Sequence, residues 1–121
     1  MRYLLDTNAL VYFLEDAVTG FQGIEDGDGV YFSFITRIEL FCGKIDEEEI
    51  FTITRFMKEF EEFTVDKGIV ERTIYVRKKY GLKIPDAIIV ATAIEKNLIL
   101  ITADKEILNK VDNIKMIDPL Q

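Results

Sequence analysis

Four carboxylates follow predicted strands or begin predicted helices, at the end of a parallel α/β sheet where ligands bind. Asp6 follows the first apolar run of the chain, and Asp104 follows the run at residues 98–102 by two positions. Glu39 comes about one helical turn after the second run, and Asp86 opens the most apolar helical stretch. Ligands of open parallel sheets bind beyond the carboxyl ends of the strands. We therefore expect the four acids to converge on one cleft.

Such a cluster of acids is suited to binding a metal ion. Carboxylates held close together repel one another, so at least one should have a raised pKa unless a cation neutralises the group. Hard oxygen ligands in this number select Mg²⁺ or Mn²⁺. These ions activate water and stabilise the charge that develops on a phosphodiester during hydrolysis, so no histidine is needed. The polar side chains available to orient the acids or water are Thr7, Asn8, Ser33, Thr36 and Thr102.

Each acid also has a purely structural interpretation. Asp6 and Asp104 are suited to cap the helices that follow them. Thr36 and Glu39 have the spacing of a capping box, in which the glutamate bonds back to the helix start. Asp86 would suit the positive end of a helix dipole. Caps alone do not explain why all four acids fall at the same end of the proposed sheet.

The composition excludes several other kinds of catalytic site. The 121 residues include no His and one Cys, so a Ser/His/Asp triad, a Cys/His dyad and a His/Cys zinc site are all ruled out. Cys42 lies in an apolar stretch, and we expect it to be a buried thiol in a reducing, cytoplasmic setting. No apolar run approaches the roughly 18 residues of a membrane helix, and Asp6 comes too early for a signal-peptide core.

Short apolar runs alternate with stretches of helical period, which predicts an α/β fold with a mostly parallel sheet. With 49% hydrophobic and 31% charged residues, we expect a single domain over residues 1–121. The predicted strands are residues 3–5, 30–34, 63–65, 98–102 and 114–117, the last at a sheet edge. The predicted helices are residues 8–15, 37–42, 46–63, 68–80, 86–97 and 104–111, with a loop at 20–29 and Gly81 as a left-handed helix stop.

The charge of the chain is unevenly distributed. A net charge of -7 argues against a nucleic-acid partner, because phosphate binding relies on Lys and Arg. Residues 67–83, however, hold six basic residues and one acid, a net +5, against -12 for the rest of the chain. Within this segment the candidate phosphate-binding residues beside Asp86 are Arg77, Lys78, Lys79 and Lys83. A solvated helix face that complements the C-terminal dipole explains the same residues.

The predicted helix 46–63 has more phenylalanines than one buried stripe requires. They are Phe51, Phe56, Phe60 and Phe63. Two interpretations stay open: an apolar surface for a partner, or a filled core.

Four segments together carry a family resemblance. They are Leu5-Asp6-Thr7-Asn8, Ser33-x-x-Thr36-x-x-Glu39, Ile84-Pro85-Asp86-Ala87-Ile88-Ile89-Val90-Ala91 and Ile101-Thr102-Ala103-Asp104. In these segments and in their order, the chain resembles PIN-domain proteins of the VapC toxin type, over essentially its whole length.

The resemblance implies a three-layer α/β/α sandwich and a metal-dependent endoribonuclease that uses Mg²⁺ or Mn²⁺. It implies that the catalytic metal ligands are Asp6, Glu39, Asp86 and Asp104, of which Asp104 is the least uniform in such proteins. It also implies Asn8 and Thr102 as supporting residues, a small antitoxin partner and a homodimer.

Three alternatives differ from the toxin interpretation. One is a stand-alone PIN-domain nuclease of RNA processing, and another is a catalytically inactive PIN-like binding module. A phosphorylation-dependent receiver domain has similar size and acidity. Its pattern has adjacent acids after the first strand and a Lys at the end of the last, where this chain has Asp6-Thr7 and Ile117-Asp118.

Overall fold

A computed structural model describes residues 1–15 and 23–121 of the chain. Over these residues one parallel sheet has the strand order β3-β2-β1-β4-β5. The strands are β1 (Arg2–Leu5), β2 (Gly29–Ser33), β3 (Glu61–Phe63), β4 (Ile99–Ile101) and β5 (Met116–Ile117). The helices are α1 (Thr7–Leu14), α2 (Phe34–Cys42), α3 (Glu47–Met57), α4 (Lys67–Tyr80), α5 (Ile84–Glu95) and α6 (Lys105–Lys110).

The central strand β1 is buried on both faces, as expected for the middle of a parallel sheet. Its successive side chains alternate between the faces. Leu4 packs into one core with Val90 of α5 and Ile107 of α6, and Leu5 packs into a second core with Leu10 of α1 and Met57 of α3. Helices therefore cover both faces of the sheet, and the predicted α/β/α sandwich is confirmed.

The register of the sheet brings the ends of three strands level. Leu5 pairs with Phe32 on one side and with Ile101 on the other. The residues that follow these strands consequently lie along one edge. The Asp6 N–H donates to the Ile101 carbonyl at 3.1 Å, which extends β1 against β4 by one residue and brings Asp6 next to Thr102.

The basic helix α4 and the apolar helix α5 form an antiparallel pair. Gly81 ends α4 in the left-handed conformation (φ 69°), as predicted, and Arg77 donates to the carbonyl of Leu82 in the turn. At the far end of the pair, Arg72 bonds Glu95 at 2.9 Å. The C-terminal end of α4 therefore lies beside the N-terminal end of α5.

The bounds predicted for the region 46–65 are wrong, because the predicted helix runs six residues beyond Met57 and takes in the whole of β3. The helix predicted at 46–63 ends at Met57, and the strand predicted at 63–65 is instead Glu61–Phe63. In this region β3 pairs with β2, and the Phe63 ring stacks on Tyr31 with centroids 4.8 Å apart. These tertiary contacts outweigh the helical periodicity of the sequence. The other elements agree within about three residues, and residues 20–22 of the predicted loop lie outside the described residues.

The expectation of a buried Cys42 is also wrong. The thiol is exposed at the last position of α2. The apolar neighbours that suggested burial face inward on this helix, with Leu40 and Phe41 packed against the core. None of the helices in residues 1–15 and 23–121 is both long and apolar enough to cross a membrane.

Candidate metal site

Asp6 is the most enclosed of the four candidate acids. Only 5% of the residue is exposed, and both carboxylate oxygens accept hydrogen bonds. Oδ1 accepts from the N–H of Ala9 at 2.8 Å, which caps α1, and Oδ2 accepts from the hydroxyl of Thr102. The cap interpretation of Asp6 is thus correct. It does not exclude a further role for the carboxylate, which lies at the end of the central strand.

Asp6 carries an electrostatic cost in this position. Its pKa is raised from 3.8 to about 6: burial is the largest cause and the negative charges of Asp104 and Asp86 add to it, while the bonds from Thr102 and Ala9 oppose the rise. The predicted increase in pKa is therefore present, with loss of hydration as its larger cause and repulsion as the smaller. Ionised Asp6 would be stabilised by any nearby cation.

Asp86 belongs to the same electrostatic cluster. It lies half-buried in the first turn of α5. Burial raises its pKa, repulsion by Asp104 and Glu39 adds to the rise, and the ammonium of Lys83 lowers it. Each of the four predicted acids therefore interacts with at least one other.

Thr102 links Asp6 to Asp104. Its fully buried hydroxyl donates to Asp6 and accepts from the N–H of Asp104 at 3.0 Å. Asp104 in turn caps α6, where its Oδ1 accepts from the N–H of Ile107 at 3.1 Å. The cap interpretation of Asp104 is also correct, and it occupies one of the two carboxylate oxygens.

Glu39 is held by a hydroxyl from another helix. Thr7 Oγ1 donates to Glu39 Oε1 at 2.7 Å and lies 3.1 Å from Thr36 Oγ1. The capping-box interpretation of Thr36 and Glu39 is wrong, because α2 begins two residues before Thr36 and is capped by Ser33. The sequence predicts Thr7 only as one of several polar side chains able to orient the acids or water, and its position next to Asp6 is the signal that it could contact a second acid.

The remaining supporting candidate, Asn8, lies exposed in the first turn of α1. In the described residues, no group of three carboxylates is close enough to hold a metal ion with the side chains as they stand. The donor set is nevertheless composed of oxygen, and its members repel one another. Oxygen donors with uncompensated negative charge fit a hard divalent cation, which would draw them together.

The four basic candidates lie at the same end of the molecule as Asp86, but in different environments. Lys83 is the N-cap residue of α5 and acts electrostatically on Asp86. Arg77 is engaged with the carbonyl of Leu82. Lys78 is exposed, and Lys79 lies against aromatic rings, with Nζ 5.3 Å from the centroid of Tyr80.

The sequence matches a known protein family. The model of the PIN domain family matches residues 3–114. The chain belongs to the PIN domain family. Membership supports a nuclease role, and PIN nucleases generally use divalent metal ions. No curated protein sequence matches this PIN domain.

Solved structures show the same fold. A toxin-antitoxin complex from Klebsiella pneumoniae is 27% identical (TM-score 0.71), with 97% of each chain covered. VapBC-1 from nontypeable Haemophilus influenzae is 22% identical (TM-score 0.80), with both chains fully covered. VapBC2 from Rickettsia felis, bound to a DNA fragment from their promoter, is 19% identical (TM-score 0.81), with 96% of this chain and 97% of that chain covered.

Proposed function

We propose that this PIN domain is a divalent-metal-dependent endoribonuclease with its metal site at Asp6, Glu39, Asp86 and Asp104. The observation that carries the proposal is the buried Asp6, whose pKa of about 6 reflects burial and two neighbouring carboxylates. A protein gains no stability from such a cluster in the absence of a cation. Mg²⁺ or Mn²⁺ would offset the repulsion with the ligand chemistry these ions prefer.

The protein groups divide into those that ligate and those that hold the ligands. When bound, the ion supplies an activated water and stabilises negative charge on the phosphodiester. Asp104 and Glu39 each have one oxygen engaged by the protein, in a helix cap and with Thr7 respectively, so the other remains for the ion. Thr102 sets the spacing between Asp6 and Asp104, and Asn8 lies at the rim of the same edge.

RNA is the proposed substrate, and the basic end of α4 is its proposed contact. Lys78, Lys79 and Lys83 present ammonium groups at the end of the molecule where α5 begins, with Asp86 in its first turn. Contacts to phosphate would offset the overall charge of -7 locally. Arg77 was part of the predicted phosphate-binding set, and its bond to Leu82 supports a role in holding the turn in addition.

The decisive experiment is cleavage of RNA by the parent and by Asp86→Asn in Mn²⁺. Asn keeps the shape of the side chain but removes one ligand charge, so activity should fall by roughly two or more orders of magnitude. The parent should be inactive in EDTA and recover when Mn²⁺ is added. Asp26→Asn, a change of the same kind at an exposed turn residue, should leave activity unchanged.

Two outcomes would contradict the proposed activity. Full activity in EDTA would exclude metal dependence. RNA binding without cleavage in Mn²⁺ would support the alternative of an inactive PIN-like binding module, which the open arrangement of the acids favours.

We further propose that the chain is the toxin of a toxin–antitoxin pair. Solved structures with its fold include a toxin–antitoxin complex from Klebsiella pneumoniae. A groove of about 440 Å³ lined by α1, α2 and α3 offers a surface for a protein partner. Its floor is apolar, with Leu14, Leu40 and Ile53, and its rim is acidic, with Glu48 and Glu49. A basic amphipathic segment of an antitoxin would complement it.

Co-expression with the product of the adjacent reading frame tests the partner proposal. A short neighbouring protein with a DNA-binding N-terminus should co-purify with the chain and inhibit its RNase activity. Light scattering of the isolated chain tests the homodimer that belongs to the same proposal. Activity that no neighbouring product inhibits would favour a stand-alone nuclease of RNA processing.

A further inference from the structure

Three side chains between α1 and α2 form a directed chain of hydrogen bonds. Thr7 Oγ1 lies 2.7 Å from Glu39 Oε1 and 3.1 Å from Thr36 Oγ1. A hydroxyl has one proton, and an ionised carboxylate can only accept, so the proton of Thr7 goes to Glu39. The oxygen of Thr7 then accepts the proton of Thr36. The order of donation is Thr36 to Thr7 to Glu39.

The hydroxyl of Thr36 differs from those of two other helical threonines. Thr73 and Thr92 each donate to the carbonyl four residues earlier, both at 2.7 Å, which is the usual local bond of a threonine within a helix. Thr36 is fully buried within α2 and instead has its hydroxyl beside the side chain of Thr7 on α1. A buried hydroxyl directed between two helices orients the group that it contacts.

The group that gains most from this orientation is Glu39. It is exposed on α2, and a glutamate there would otherwise exchange among many rotamers. Thr7 is the residue after Asp6, so its bond fixes Glu39 relative to the buried carboxylate at the end of β1. Among residues 1–15 and 23–121, the hydrogen bond to Glu39 uses Oε1, which leaves Oε2 for a ligand.

We propose that Thr7 and Thr36 are positioning residues that hold Glu39 in its ligating rotamer before the ion binds. The inference rests on the proposed metal site. Neither threonine contacts the ion or the substrate; Thr7 acts on Glu39, and Thr36 acts on Thr7. The pair lowers the ordering cost of metal binding, because Glu39 is already restricted when the ion arrives.

The first measurement needs no metal. Side-chain NMR couplings and relaxation report whether Glu39 occupies one rotamer in EDTA. The parent and Thr7→Ser, which keeps the hydroxyl, should show one dominant rotamer. Thr7→Val should show averaging, and Thr36→Val should show partial averaging because Thr7 keeps its proton but loses its donor. Thr73→Val is the matched control, since it makes the same chemical change at a threonine with only a local bond.

The second measurement is Mn²⁺ affinity by calorimetry, with the melting temperature recorded in EDTA for each variant. Thr7→Val should weaken Mn²⁺ binding about tenfold, which corresponds to about 1.4 kcal/mol. It should also lower the melting temperature in EDTA, because the buried hydroxyl of Thr36 loses its acceptor. Thr7→Ser should restore the affinity. In the Glu39→Gln background, Thr7→Val should have little further effect on affinity, because the group it positions is no longer a charged ligand.

The outcomes separate this inference from the proposed function. If the parent holds Glu39 in one rotamer but binds no Mn²⁺, the metal site is refuted, regardless of the results for the Thr7 and Thr36 variants. A parent in which Glu39 averages among rotamers would refute the positioning role, as would an equal loss of affinity from Thr7→Val in both backgrounds. If Thr7→Val fails to fold, Thr36→Val and its Ser counterpart give the same comparison from the buried side of the chain.

Discussion

Ionisation of the buried Asp6 lowers the stability of the metal-free protein. An acid whose pKa is higher in the folded than in the unfolded state destabilises the fold when it loses its proton. Its unfavourable contribution is absent below the ordinary value of 3.8, develops as the pH rises to about 6, and is complete above that. A difference of about two pH units corresponds to about 3 kcal/mol.

Asp6→Asn removes the charge and keeps the shape. The amide oxygen can still accept from Ala9, but the amide nitrogen replaces the oxygen that accepts from Thr102. That hydroxyl loses its acceptor at a cost of about 1 kcal/mol. In EDTA near pH 7.5 the variant should therefore be about 2 kcal/mol more stable than the parent. Well below pH 4, where the parent's carboxyl is protonated, only the cost at Thr102 is left and the variant should be about 1 kcal/mol less stable.

Urea unfolding of both proteins across this pH range measures the effect. Asp66→Asn is a matched control, because Asp66 also caps a helix: its Oδ1 accepts a hydrogen bond from the N–H of Ile69 at 2.8 Å. The bond from Lys96 lowers the pKa of Asp66, so its ionised form stabilises the fold, and that stability is lost as the pH falls below the ordinary value. The two variants should thus show opposite pH dependence. A loss of stability in Asp6→Asn that is constant from pH 4 to pH 8 would refute the reasoning.

Three further predictions concern binding. Mn²⁺ at about 100 times its Kd should raise the melting temperature of the parent by on the order of 10 °C, and much less in Asp86→Asn; equal shifts would mean that the ion binds elsewhere. Phe51→Ser, at a side chain that is 62% exposed, should weaken partner binding measured by calorimetry and leave the fold intact, whereas loss of folding would assign this residue to the core. Lys78→Gln combined with Lys79→Gln should weaken RNA binding across sequences and reduce its salt slope by roughly 1.4, with Arg77 retained because of its structural bond; an unchanged slope would place the RNA elsewhere.

The phenylalanines of the region 46–63 show why periodicity alone does not assign a surface. Phe51 is exposed on α3, while Phe56 and Phe60 are half-buried and meet edge to face with centroids 5.0 Å apart. Phe63 lies on a strand and stacks on Tyr31. The segment predicted as one helix thus contributes both a candidate partner surface and part of the core. Which phenylalanines are exposed depends on where the helix ends.

The sequence by itself determined the fold class, the family and the position of each acid relative to the end of a strand or the start of a helix. These follow from local patterns: β1 and β4 are apolar runs with period and length typical of strands. Asp6 comes directly after β1, and Asp104 is the third residue after β4. Because parallel strands end at a common edge, the sequence predicts that the acids lie along that edge without knowledge of any contact.

Only the tertiary structure decided which side chains hold those acids. The bonds from Thr102 to Asp6 and from Thr7 to Glu39 join residues 96 and 32 positions apart. Local sequence favoured a capping box for Glu39, since its spacing from Thr36 matches one. The packing of α2 against α1 instead brings the hydroxyl of Thr7 within reach of Glu39. Such contacts depend on how whole helices pack, and no pattern within one segment encodes that.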